Sequence, residues 1–228
     1  MPLRTALALP LIVFYTVWLG VPAVVCGLLG QERAVRSITA LWGRAILRAF
    51  GVEVKVAGAE HCPSRAAVYA ANHASALDIP ILFGHLPVDF KVIHKRSLYA
   101  VPMIGLYLYA TGNVPIERGS GFRARKSLEE AVARVRSGAN LLVFPEGTRS
   151  EEDAVGPFKR GSFVLAIEAG APVVPLSLVG IKQVASGGLR VRGGVVHLVV
   201  HPSVPTAGRD PAQAGELAEE VRRIVASV

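Results

Sequence analysis

The stretch "NHASALD" at 72–78 sets His73 five positions before Asp78. Histidine is the side chain whose ordinary pKa lies nearest neutrality, so it is the default general base. A carboxylate on one ring nitrogen fixes the tautomer and stabilises the imidazolium as it forms. A turn or helix start after His73 would return Asp78 to the imidazole. Ser75 lies close by, but no G-x-S-x-G elbow surrounds it. The pair therefore suits a base that activates a substrate hydroxyl without a covalent enzyme intermediate. Taken alone, the same spacing also fits an ordinary structural hydrogen bond.

A second group stands at 144–150, "FPEGTRS". Gly147 permits a tight turn and a close approach of backbone to ligand. Glu146 can accept from ligand hydroxyls, Thr148 can donate, and Arg149 can hold a phosphate through two parallel hydrogen bonds. An ordinary strand-to-loop turn with a solvated arginine has the same letters. "GNVPIER" at 112–118 adds Arg118 at a strand end. With Lys95, Lys159 and Arg160, these arginines make an anion pocket if the strands converge.

The elements that must position these residues alternate. "VEVKVAG", "AAVYAAN", "FKVIHK", "NVPIER", "NLLVFPEG", "APVVPLSLVG" and "VVHLVVHPSV" read as strands, several of them apolar throughout and so buried on both faces. Helical spacing runs through 37–50, 122–137, 161–169 and the tail after Pro211. "DIPILFGHL" reads as a short helix, and "LYAVPMIGLYLYATG" as a helix around Pro102. The pattern predicts an α/β fold, a layered mixed sheet flanked by helices. Both chemical groups fall just past strand ends.

The front of the chain differs. From Thr5 to Gly30 no residue is charged, which is long enough to cross a bilayer. Pro10, Gly20 and Pro22 interrupt the run and predict either a kinked span or a bent helical pair in one leaflet. A secretory signal is the rival reading, but no small-residue cleavage site stands at its end. Residues 1–50 are thus expected to form an N-terminal helical membrane-anchoring segment, and residues 51–228 the α/β domain. The 228 residues are 51% hydrophobic, 18% charged, and carry a net charge of +8. Beside an apolar anchor, that charge suits an anionic membrane surface, with Arg33, Arg36, Arg44 and Arg48 near head groups. No aromatic-interleaved basic motif points to nucleic acid. Cys26 and Cys62 are too few for a disulfide framework, and no C-x-x-C spacing suggests a metal.

"NHASALD", "GNVPIER", "FPEGTRS" and "VVPL" (173–176) occur in the order and spacing of the four motifs of the glycerolipid acyltransferase family, whose best-known members are the 1-acyl-sn-glycerol-3-phosphate acyltransferases. The resemblance covers about Val52 to Val204, and "FKRG" at 158–161 also resembles the stretch after the family's third motif. It implies that His73 is the general base on the sn-2 hydroxyl of lysophosphatidic acid and that Asp78 orients it. Arg118, Glu146, Gly147 and Arg149 would hold the glycerol phosphate, beside Thr148 and Lys95 from the reading of the residues themselves, and Pro175 would shape the acyl or acceptor pocket. The product would be phosphatidic acid, for phospholipid biosynthesis. The acyl donor would be acyl-CoA or acyl carrier protein, a co-substrate, with no metal and no bound cofactor. The expected partners are membrane phospholipids and these substrates, with no nucleic acid. The place is the inner (cytoplasmic) membrane, with the catalytic domain on its cytoplasmic face. A different acceptor, such as a lyso-ornithine lipid, or a non-catalytic lipid-binding relative, would keep the same motifs.

Overall fold

The computed structural model describes residues 3–117, 121–148, 154–185 and 191–228, with side chains from residue 8 onward. Two helices come first, α1 (Leu3–Leu28) and α2 (Glu32–Phe50). The chain then runs β1 (Val52–Ala57), β2 (Val68–Ala71), α3 (Asp78–His85), β3 (Lys91–Lys95), α4 (Ile104–Ala110), β4 (Val114–Ile116), α5 (Phe122–Arg136) and β5 (Leu141–Val143). It ends with α6 (Gly161–Ala169), β6 (Val173–Val179), α7 (Ile181–Val184), β7 (Gly194–Val200) and α8 (Ala214–Val225).

The strands form one sheet in the order β1-β7-β6-β2-β5-β3-β4. The pairs β6–β2, β2–β5, β5–β3 and β3–β4 are parallel, and β6–β7 is antiparallel. The sheet is therefore mixed, as its sequence predicts. Alternation along each strand divides the core between two faces. Tyr69, Ala71, Val92 and Leu142 pack with Ile46, Leu47, Ile81 and Leu82 of α2 and α3. Val68, Ala70, Leu141 and Val143 pack with Val132, Phe163, Leu165 and Leu217 of α5, α6 and α8. This explains the continuous apolar runs in β2 and β5: a strand covered on both faces has no side left for polar residues. α2 and α3 approach closely, since a Cβ on Gly43 would stand 2.5 Å from the Pro80 carbonyl oxygen. That contact fixes the helix that begins with Asp78.

Three side-chain amides splice the sheet where backbone pairing ends. Asn72 accepts from the Leu178 N–H at 2.8 Å and donates to the Leu178 carbonyl at 3.2 Å. It therefore extends the β2–β6 ladder by one residue, up to His73. Asn140 accepts from the Ala67 N–H and donates to the Asp89 carbonyl. Asn113 accepts from the Val92 N–H at 2.7 Å.

One expectation changes, and one alternative is decided. The run 98–112 is not one helix. A 3₁₀ turn at Arg96–Ala100 is followed by extended Val101, by Met103 at φ 60°, and only then by α4. The cause is Pro102, which disfavours helical geometry in the residue before it. At the front of the chain, of the two readings, a single helix and not a bent pair is formed: α1 continues through Pro10 and Pro22. Both prolines are exposed. The paired helix is α2, held by Trp42 Nε1–H donating to Thr16 Oγ1 at 3.2 Å. Of the arginines assigned to head groups, Arg36 donates to the Pro87 carbonyl and Arg44 to the Gly84 carbonyl. They lace α2 to the protein, and all four arginines, Arg33 and Arg48 included, are exposed.

Candidate active site

In this sheet β2, β5, β3 and β4 point the same way, so their carboxyl ends share one edge, where open α/β sheets take their ligands. β2 delivers His73 there, β5 delivers Glu146, Gly147 and Thr148, and β3 delivers Lys95. Sequence positions far apart thus meet because they follow parallel strands.

His73 and Asp78 come together. The His73 Nδ1–H donates to Asp78 Oδ2 at 2.6 Å, which leaves Nε2 as the outward nitrogen. Asp78 is fully buried and opens α3. Its Oδ2 also accepts from the Ala74 N–H at 2.9 Å and the Ser75 N–H at 3.1 Å. The carboxylate therefore folds the loop around itself while it holds the ring, and a helix first turn favours its charge. The His73 ring stacks on Phe144, with centroids 4.2 Å apart and planes at 29°. Tautomer and orientation are both fixed, and the His73 side chain stays 19% exposed. Ser75 Oγ accepts from the Leu77 N–H in a buried turn.

Glu146 occupies a place the sequence did not disclose. It is buried, its Oε1 accepts from the His73 N–H at 2.7 Å, and its Oε2 accepts from the Gly156 N–H at 3.0 Å. Both oxygens anchor backbone, so Glu146 braces the His73 loop against the segment after the β5 turn. Gly147 turns the chain at φ 78°, and a Cβ there would stand 2.7 Å from Lys159 Nζ. The ammonium of Lys159 therefore lies directly over the turn, at the same edge as His73. Thr148 and Lys95 are exposed, free to meet a ligand. Arg118 and Arg149 lie outside the described residues. Pro175 is buried within β6 beside Ala70, and its carbonyl accepts from the His201 N–H at 3.0 Å. Next to Lys95, buried His94 is pushed below the ordinary histidine value by desolvation, so it adds no charge to this edge at neutral pH. Among the described residues no three His, Cys, Asp or Glu side chains gather as a metal site.

Sequence reading missed Asn72, Phe144 and Gly156. Asn72 carries a legible signal, an amide directly after an apolar strand. Phe144 and Gly156 carry none, because a stacking partner and a backbone donor are properties of the folded chain. A cavity of about 160 Å³ lies at the opposite end of the sheet, between α2, α4 and the start of β3. Arg36, Thr39, Arg44 and Tyr107 line it and bond within the protein. It therefore belongs to packing.

Glu146→Ala is expected to orphan two backbone donors, at about 1–3 kcal/mol each. It should lower kcat more than about tenfold with little change in the acceptor KM. Steady-state kinetics checks this, and a change confined to KM would make Glu146 a ligand contact instead of a brace.

Residues 53–179 match the family described as Acyltransferase. The chain belongs to the acyltransferase family. It is 36% identical over 225 residues to a 1-acyl-sn-glycerol-3-phosphate acyltransferase of Chlamydomonas reinhardtii, covering 97% of this chain and 65% of that one. It is 32% identical to the human 1-acyl-sn-glycerol-3-phosphate acyltransferase alpha, covering 94% of this chain and 78% of that one. The chain spans 54% of the chloroplastic relative from Brassica napus, so some acyltransferases of the family are considerably longer. Among solved structures, the 1-acyl-sn-glycerophosphate acyltransferase PlsC of Thermotoga maritima superposes with a TM-score of 0.85 at 28% identity. The match covers 99% of this chain and 92% of that one. The whole acyltransferase chain, α1 and α2 included, therefore has its counterpart in that fold.

Proposed function

We propose that this protein is a membrane-bound 1-acylglycerol-3-phosphate O-acyltransferase. It transfers an acyl chain from acyl-CoA or acyl carrier protein to the sn-2 hydroxyl of lysophosphatidic acid, making phosphatidic acid. The single observation that carries the reading is the His73–Asp78 pair, held by Glu146 at the carboxyl edge with Nε2 turned outward. Binding alone would not require so constrained a base. The names of the relatives support the acceptor.

In the proposed reaction His73 Nε2 takes the proton of the acceptor hydroxyl as its oxygen attacks the thioester carbonyl carbon. Asp78 stabilises the imidazolium that forms. The tetrahedral intermediate collapses, the carbon–sulfur bond breaks, and the imidazolium returns its proton to the thiolate. The products are the ester and the free thiol, so no metal, cofactor or acyl-enzyme is needed. Lys95, Lys159, Arg118 and Arg149, with the Thr148 hydroxyl, are the candidates for the acceptor phosphate, because cations can meet its two negative charges. Pro175 acts from inside the sheet, through the strand it shapes.

The membrane reading rests on α1. Within its segment Ala8–Leu28, an 18-residue window has a mean hydropathy of 2.2, and only 11% of that window is buried. Its inner side packs on α2, so the helix lies along the domain and offers its outer side to one leaflet. The catalytic domain then faces the cytoplasm, where thioester donors are made. The test is to incubate purified protein in vesicles with lysophosphatidic acid and other lyso-lipids, each with acyl-CoA and acyl carrier protein as donor, and to identify products by mass. Phosphatidic acid is expected. Acylation confined to a lyso-ornithine lipid would reassign the acceptor, and no product with any pair would overturn the enzyme reading.

A further inference from the structure

We infer that residues 98–109, the 3₁₀ turn after β3 and helix α4, form a second half of the lipid-facing surface, continuous with α1. The inference rests on the reading that α1 meets a bilayer. Between Leu98 and Gly112 no residue is charged. Leu98, Val101, Ile104, Leu106 and Tyr109 are all exposed, Leu106 at 51% and Tyr109 at 70%. A contiguous exposed apolar patch of this kind marks a contact surface, because soluble surfaces rarely carry one without a use.

Its position identifies the occupant. A Cβ on Gly20 of α1 would stand 2.9 Å from Met103 Cε, and a Cβ on Gly27 would stand 2.6 Å from the Ala110 carbonyl oxygen. Seven residues separate the two contacts on each segment, so α1 and the α4 segment run side by side in the same direction for two turns. α1 exposes Phe14, Trp18, Val21 and Val25, and the segment it touches at Gly20 and Gly27 exposes Ile104, Leu106 and Tyr109. Whatever solvent covers one covers the other. Tyr109 presents an apolar ring and a polar tip, which suits the depth of head groups. Lys95 and Arg96, both exposed, precede the patch and suit anionic phosphates. A second copy of this chain would have to cover α1 as well.

The consequence for the site is direct. β3 ends in Lys95 at the catalytic edge, and its continuation enters the lipid surface within a few residues. An acyl acceptor held in the leaflet therefore reaches the edge that carries His73 without exposing its chain to water.

The test uses the full chain bound to anionic vesicles that contain a lipid with a diazirine in its acyl chain. After irradiation, labelled peptides are mapped by mass. Label is expected within 98–109 as well as on α1. Label on α1 alone would overturn this inference and leave the anchor reading intact, whereas vesicles that capture no protein would overturn both. As a second measurement, the triple variant Ile104→Gln, Leu106→Gln, Tyr109→Gln removes exposed side chains that take no part in either core. It should weaken vesicle partition about tenfold and raise the apparent KM for a long-chain acceptor in vesicles. Its rate on a short-chain, water-soluble acceptor should stay unchanged. Unchanged partition, with a dimer in the parent protein that this variant loses, would assign the patch to a second copy instead.

Discussion

His73→Ala is expected to lower the rate of acyl transfer about 10²–10⁴-fold, the usual contribution of a positioned base, while the protein stays folded. The geometry makes the two effects separable. The substitution keeps the backbone N–H that donates to Glu146 at 2.7 Å, so the brace across the β5 turn survives. What disappears is the ring stacked on Phe144 and the bond to Asp78. Asp78 still accepts from the Ala74 and Ser75 N–H groups, and its charge keeps two donors. The melting temperature should therefore move little, and the circular dichroism spectrum should not change. The measurement is single-turnover acyl transfer with saturating lysophosphatidic acid and donor. A variant retaining more than about a tenth of the parent rate would remove His73 from the chemistry.

The parts of this molecule that could be read from its letters are those with a short-range cause. β2 and β5 were legible because a short apolar run bounded by turn residues has few other uses. The His73–Asp78 contact was legible because a strand end followed by a helix first turn closes a five-residue offset. The break at 101–103 also had a local cause, Pro102, but the apolar periodicity on either side concealed it. Other features needed the third dimension. That Glu146 spends its oxygens on the His73 and Gly156 N–H groups depends on how β2 and β5 pair. That Arg36 and Arg44 bond to carbonyls near α3 depends on how closely α2 can approach at Gly43. That α1 lies against α2 and α4 depends on approaches such as Trp42 to Thr16 and Gly27 to Ala110, which appear only in the fold.

Asp78→Asn should lower kcat nearly as far as His73→Ala, about 10²–10⁴-fold, with a much smaller effect on the acceptor KM. Three N–H groups converge on Asp78 Oδ2, from His73, Ala74 and Ser75. An asparagine must therefore place its carbonyl oxygen there, since an NH₂ in that position would face three donors. The loop geometry and the His73 tautomer then survive in the ground state. What is lost is the negative charge opposite the ring, in a fully buried position where water cannot replace it. The deficit appears only when the imidazolium forms, so it belongs to the transition state and enters kcat. The decisive measurement is the double variant, His73→Ala with Asp78→Asn. If Asp78 acts through His73, removing its charge after the ring is gone should cost little more, and the double variant should fall close to His73→Ala alone. Groups acting as one unit are non-additive in this way. If the two losses multiplied instead, Asp78 would be acting on something other than His73. The buried carboxylate would then be a structural part of the loop that happens to touch the base.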